Sequence, residues 1–132
     1  MSHREVSLLR DRSLRMLSSA RRSLLDGDYD LAAFMADQAV QLYLKSVILE
    51  LTGELPRIHA VRQLMRVLKD LSDRPKVIDD YVREKRSLLI RLEEAYISSR
   101  YMPRIYEKDE VEELVNFAEE AMGSVKDLRG EG

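Results

Sequence analysis

The sequence of 132 residues contains no cysteine and few residues that interrupt regular structure. Without cysteine, the chain forms no disulfide, thiolate zinc site, iron–sulfur cluster or cysteine nucleophile. With 5 glycines and 3 prolines, it is too poor in turn-forming residues for a loop-rich all-β protein. No apolar run approaches the ~18 residues of a membrane span, and the first residues are charged. We therefore expect a soluble cytoplasmic protein with no membrane association and no signal peptide.

The familiar catalytic motifs are missing as well. The glycines are isolated, so no glycine-rich phosphate loop is present, and no serine lies in a Gly-x-Ser-x-Gly elbow. The two histidines, His3 and His59, lack partners at His-x-x-x-His or Glu-x-x-His spacing. These absences predict no metal site and no cofactor.

The composition suits one folded domain that spans residues 1–132, with a core over about 5–128. Apolar residues make up 45% of the chain and charged residues 35%, with a net charge of −2. The charge is unevenly placed, because residues 1–22 hold six arginines and residues 107–132 hold nine acids. Two interpretations stay open: the two ends form neighbouring helices of complementary charge, or the basic end binds phosphates.

Helical periodicity dominates, and no segment alternates with period two for long enough to form a strand. The apolar spacing predicts a first helix that ends before Asp26-Gly27-Asp28, followed by helices over 29–52, 58–71, 76–98 and 108–128. Because the connections are short, sequential helices should pack antiparallel. The sequence thus predicts an all-α, up-and-down four-helix bundle with one additional short helix.

The second helix is apolar on more than one face, so it is either central in the bundle or shared with a partner chain. It also carries polar residues. We expect Gln38 to form an interhelical hydrogen bond that fixes helix register, because a buried amide without a partner costs about 1–3 kcal/mol. Lys45 should extend its stem over the core and keep its ammonium in water. His59, which opens the third helix, should be partly exposed or a local cap. We assign all three a structural role.

The segment 98–106, here called the elbow, joins the last two long helices. It places Arg100, Tyr101, Arg104 and Tyr106 within seven residues. Arginine forks bind phosphates and tyrosine rings stack on bases, so these four residues are candidates for ligand binding. The alternative is that both tyrosines anchor the loop to the bundle while Arg100 pairs with an acid.

Three motifs resemble the HEPN family (higher eukaryotes and prokaryotes nucleotide-binding). Residues 38–45 look like the family's Gln-Ala-x-x-x-x-Leu-Lys helix. The stretch 53–61 resembles its Gly…Pro…His connection, with Gly53, Pro56 and His59 in these places. The stretch 100–103 resembles its Arg-Tyr-x-Pro element. The match in order and spacing covers about residues 5–128.

The resemblance implies a homodimer in which the fourth-helix ends of two subunits meet in a cleft that takes a nucleotide or RNA. It also implies a frequent partner, a minimal nucleotidyltransferase often encoded next door in prokaryotes, in toxin–antitoxin-like systems. Many members are metal-independent ribonucleases with an Arg-x(4–6)-His motif. Here Arg100 matches the arginine, but the candidate histidine positions hold Ile105, Tyr106 and Glu107.

The missing histidine of the ribonuclease motif determines how we rank the functional hypotheses. A tyrosine with its ordinary pKa near 10 is a poor general base at neutral pH, and Glu107 would need a strongly raised pKa. The leading hypothesis is a non-catalytic or weakly active homodimeric module that binds a nucleotide, RNA or a nucleotidyltransferase partner. The first alternative is an endoribonuclease that uses Arg100 with Tyr106 or Glu107. The second is a purely structural interaction subunit.

Overall fold

The computed structural model describes residues 3–100 and 104–128, and their side chains except those of 99, 100 and 128. This part of the chain forms helices and connections and contains no strand. The helices are α1 (His3–Leu25), α2 (Tyr29–Thr52), α3 (Val61–Leu71), α4 (Pro75–Glu84), α5 (Arg86–Arg100) and α6 (Lys108–Leu128). The predicted all-α bundle is confirmed: α1, α2, α5 and α6 are its long helices, and α3 and α4 form a short pair between α2 and α5.

A three-residue turn makes α1 and α2 antiparallel neighbours. Gly27 takes the left-handed conformation (φ +82°) that ends α1, which glycine adopts without steric cost. At the far end, the Arg10 guanidinium donates to Ser46 Oγ (3.2 Å) and to Glu50 (3.3 Å). Near the turn, the Ser23 hydroxyl lies 3.8 Å from Met35 Sδ. The two helices therefore stay in contact along their length.

The central helix of the bundle is α2. The sequence had left open whether this helix is central or shared with a partner chain. The helices α1, α3, α5 and α6 all pack against it. More than half of its residues are buried. The apolar side chains with almost no exposure include Ala33, Ala36, Val40, Leu44 and Val47. Its wide apolar surface is therefore covered mainly by helices of the same chain.

The predicted fourth helix is two helices, because the chain leaves helical geometry at Lys85 (φ −100°, ψ 13°). Residues 83–87 are all polar, so no apolar side chain holds this turn to the core. On one side of the break Ile78 of α4 is buried, and on the other Leu89 and Leu92 of α5 are buried. All three belong to the same hydrophobic core. The third helix also starts later than predicted, at Val61, because Ala60 has an extended backbone.

Complementary charge between the chain ends is present at one place. The Arg21 guanidinium donates to Asn116 Oδ1 (3.2 Å) and forms an ion pair with Glu119, so α1 and α6 are joined there. Arg12 and Arg22 are exposed. None of the described helices has the length and apolar character needed to cross a membrane.

Candidate functional site

The elbow connects the end of α5 to the start of α6. Arg100 is the last residue of α5, but its side chain lies outside the described residues, as does all of Tyr101. The described part of the elbow comprises Ser98 and residues 104–106. Glu107 immediately precedes α6, and its backbone N–H donates to Glu110 Oε1 (3.4 Å), one half of the reciprocal arrangement that caps helix N-termini.

Arg104 has several partners in the elbow. Its guanidinium carbon lies 4.4 Å from the centre of the Tyr106 ring, a favourable cation–π distance. The same guanidinium forms an ion pair with Glu110 and lies 3.7 Å from a carboxylate oxygen of Glu94. With 38% of its side chain exposed, it still faces solvent. Two carboxylates thus position this cation and compete with any anion for it.

Tyr106 lies inside the bundle, where its 6% exposure makes it part of the core. Its hydroxyl lies 3.5 Å from Ser98 Oγ, which links the start of α6 to the last turns of α5. Tyr106 therefore anchors the loop to the bundle, which is the alternative role that the sequence left open for this tyrosine. A base can stack on this ring only if Arg104 and the surrounding core move away. Glu107, the other candidate catalytic residue, is exposed.

Apolar side chains are exposed around the elbow. Ile97 is 50% exposed on α5 and Ile105 is 89% exposed between the helices. On α2, Leu31 is also exposed. It lies at the same end of the bundle, because α2 and α5 run antiparallel and their rings Phe34 and Tyr96 stack at 6.4 Å. A cation and several uncovered apolar groups therefore share this end.

A second group of polar residues lies between α2, the connection before α3, and α5. The Lys45 ammonium is 3.4 Å from His59 Nδ1, and the His59 ring stacks on Tyr96 with 5.7 Å between the ring centres. Burial lowers the pKa of Lys45, and the nearby Asp37 carboxylate partly opposes that shift. The structure thus brings Lys45 and His59 together, although 14 residues separate them in the sequence.

Asp37, at the centre of α2, is the most buried acid of the described chain, with 0% exposure. Its Oδ2 accepts hydrogen bonds from Gln41 (2.6 Å) and Gln38 (3.4 Å), whereas its Oδ1 has no partner. Burial raises the pKa of Asp37 to about 8, against the opposing effect of the two amides. The carboxyl group is therefore mainly protonated at neutral pH. Gln38 makes its hydrogen bond within α2, not to another helix.

Arg62 and Glu93 join α3 to α5 beside this cluster. The guanidinium donates from two nitrogens to the two carboxylate oxygens, at 2.5 and 3.3 Å. The hydrogen bond that Arg62 donates to Glu93 raises the pKa of Arg62 above its ordinary value. Among the described residues, no group of three His, Asp or Glu side chains is arranged to hold a metal ion.

Sequence reasoning missed Asp37, Gln41 and Tyr96. A signal for Asp37 was present, because it follows Ala33 by four residues and precedes Val40 by three, at the spacing of one helix face. A polar residue within such an apolar face has to be buried. Tyr96 and the Arg62–Glu93 pair had no such signal, because their partners lie on other helices.

The structure defines a small all-α module, built around one central helix and with a cationic elbow at one end. A model of the HEPN domain matches residues 6–128, nearly the whole chain. The chain therefore belongs to the HEPN domain family, whose members are generally associated with nucleotides and RNA. No curated protein and no solved structure matches it significantly.

Proposed function

We propose that this chain is a single-domain, homodimeric HEPN module that binds the phosphates of a nucleotide or RNA at its elbow without cleaving the ligand. The observation that supports this most strongly is the setting of Arg104. Its guanidinium is held over Tyr106, partly exposed, on the segment that follows Arg100. Two arginines four residues apart provide a pair of planar forks for bidentate contacts with phosphate.

The homodimer is supported by the uncovered apolar side chains at the same end. Full burial of an isoleucine side chain contributes about 1.5–3 kcal/mol, so Ile97 and Ile105 together offer a substantial driving force for association. A second copy packed on this end would cover both residues. It would also bring two elbows together and double the number of arginines near one ligand.

Binding without cleavage is supported by the position of Tyr106. A general base has to come within hydrogen-bonding reach of the proton that it removes. Tyr106 is buried, and its hydroxyl lies 3.5 Å from Ser98 Oγ in a part-buried contact. The remaining candidate, Glu107, immediately precedes α6 and is exposed. A minimal nucleotidyltransferase remains a further candidate partner, and a toxin–antitoxin-like role with it, on the family resemblance alone.

A titration of fluorescently labelled single-stranded RNA, with ATP as competitor, tests the ligand. We expect Arg104→Ala to weaken RNA binding at least about tenfold, because a hydrogen bond to a charged group contributes about 1.5–3 kcal/mol. Arg12→Ala is the matched control, since it removes the same side chain from an exposed site on α1. Equal affinities of the wild type and both variants would overturn the assignment to the elbow.

Light scattering after size exclusion tests the dimer. The mass measured for the wild type should be twice the chain mass of 15.4 kDa. Ile105→Asp should shift it toward the monomer, because a charge cannot be buried there without a large cost. Leu14→Asp, at an exposed apolar residue of α1, should leave the mass unchanged. A monomeric wild type at micromolar concentration contradicts the proposed homodimer.

A further inference from the structure

The pair formed by α3 and α4 encloses a cavity of about 180 Å³ that opens to solvent. Its floor is apolar and belongs to the core: Met65 of α3 and Ile78 of α4 are buried, and Val82 is half-buried. Both helices contribute residues to this floor. The floor is therefore fixed by packing, while the rim is built from long polar side chains.

The rim carries five cations and one acid. The cations are Arg62, Arg66, Lys69, Arg83 and Arg86, and the acid is Asp79. Three helices contribute to this rim, and Arg83 and Arg86 stand on either side of the break at Lys85 that separates α4 from α5. The break in the predicted fourth helix thus places cations from two helices at one opening.

Two of these cations lack a counter-charge. Lys69 pairs with Asp79 (3.1 Å). Arg62 is held by Glu93, and Arg83 lies 3.8 Å from Asp80. In contrast, Arg66 and Arg86 form no ion pair with any residue of the described chain. The opening therefore has excess positive charge, and two guanidinium groups are available to an incoming anion without the loss of an existing partner.

The size of the cavity limits its ligand. Sites for drug-sized molecules measure about 300–1,000 Å³, so 180 Å³ is too small to enclose a whole nucleotide. It suits a short chain of phosphates, whose oxygens match the forks of arginine. We propose that this cavity is a second anion site, which binds the di- or triphosphate group of a nucleotide or of inorganic polyphosphate through Arg66 and Arg86.

This site is separate from the elbow. Arg86 begins α5 and the elbow follows its other end, so the two places are about 20 Å apart along the helix at 1.5 Å per residue. Loss of phosphate binding at the elbow would therefore leave this cavity and its cations unchanged.

Isothermal titration of the full chain with inorganic tripolyphosphate tests the proposal. We expect binding by the wild type and a loss of at least about tenfold in Arg66→Ala/Arg86→Ala, because each change removes charged hydrogen bonds. The matched control, Arg12→Ala/Arg22→Ala, removes two exposed arginines from α1 and should bind as the wild type does. Arg66→Lys/Arg86→Lys keeps the charge but not the fork, and should fall between the wild type and the alanine variant.

The ligand source is resolved by parallel titrations with ATP and adenosine. Equal binding of ATP and tripolyphosphate, with no binding of adenosine, supports a site for phosphates alone. Tighter binding of ATP that is also lost in Arg66→Ala/Arg86→Ala supports the nucleotide as the source of the phosphates. The proposal is overturned if tripolyphosphate does not bind. It is also overturned if the alanine variant and the α1 control weaken binding equally.

Discussion

The buried acid of α2 predicts an unusual dependence of stability on pH. In the folded chain the pKa of Asp37 is raised to about 8, whereas the ordinary pKa of an aspartate is 3.8. Between these values the folded state binds one more proton than the unfolded state, so the free energy of unfolding falls as pH rises. The slope is about 1.4 kcal/mol per pH unit, which gives a loss of about 4 kcal/mol from pH 5 to pH 8. That is a large share of the 5–15 kcal/mol typical of a domain.

Asp37→Asn removes the titration while keeping the shape of the side chain and an oxygen for the hydrogen bond from Gln41. The variant should therefore be similar to the wild type at pH 5 and more stable at pH 8. Urea unfolding followed by circular dichroism at several pH values measures this difference. Asp30→Asn, at an exposed position of the same helix, is the control and should keep the wild-type slope. A wild-type stability that is constant or rises from pH 5 to pH 8 would show that Asp37 does not keep its proton in the folded chain. An equal slope in Asp37→Asn would show that another group titrates.

Three further predictions concern packing, a turn and the elbow. Leu44→Ala should lower the free energy of unfolding by about 2–5 kcal/mol in urea titrations, whereas Leu14→Ala, at an exposed site, should change it by less than about 0.5 kcal/mol. Gly53→Ala should destabilise by about 1–2 kcal/mol, measured as a lower Tm, because Gly53 ends α2 with φ +79°; an unchanged Tm contradicts the left-handed cap. Glu94→Gln should raise RNA affinity a few-fold in anisotropy titrations, because it frees Arg104 from one competing carboxylate; a lower affinity would show that Glu94 positions the guanidinium.

Local signals in the sequence were enough to predict the long helices. Apolar residues that recur at three- and four-residue steps predicted helices over 29–52 and 108–128. Both ranges match α2 and α6 of the structure. Gly27 and Gly53 have the positive φ values expected at helix ends. These features depend on residues close together in the chain, where helical spacing and backbone sterics act directly.

The break at Lys85 was less visible, because lysine and arginine are good helix formers and nothing in residues 83–87 forbids a helix. The two helices on either side of Lys85 pack against different neighbours, α4 against α3 and α5 mainly against α2, a tertiary effect that propensity does not contain. The cationic cavity was not visible either, because Arg66 and Arg86 are twenty residues apart in the sequence and come together only in the fold.

The elbow was predictable in composition but not in geometry. Its two arginines and two tyrosines are plain in the sequence. The sequence does not show that Tyr106 is buried while Arg104, which lies over its ring, stays partly in solvent. The partners Glu94 and Glu110 lie on two different helices, so their effect on Arg104 follows only from the way that α5 meets α6.

If guanidinium groups of the elbow hold phosphates in a homodimer, as proposed above, then RNA affinity should depend steeply on salt. Two arginines from each of two subunits would neutralise about four phosphates, so log affinity should fall with log salt at a slope of about −3 for a single strand. The Arg100→Ala/Arg104→Ala variant should lose most of that slope. A wild-type affinity that does not respond to salt, or a slope that is the same in this variant, would contradict the account.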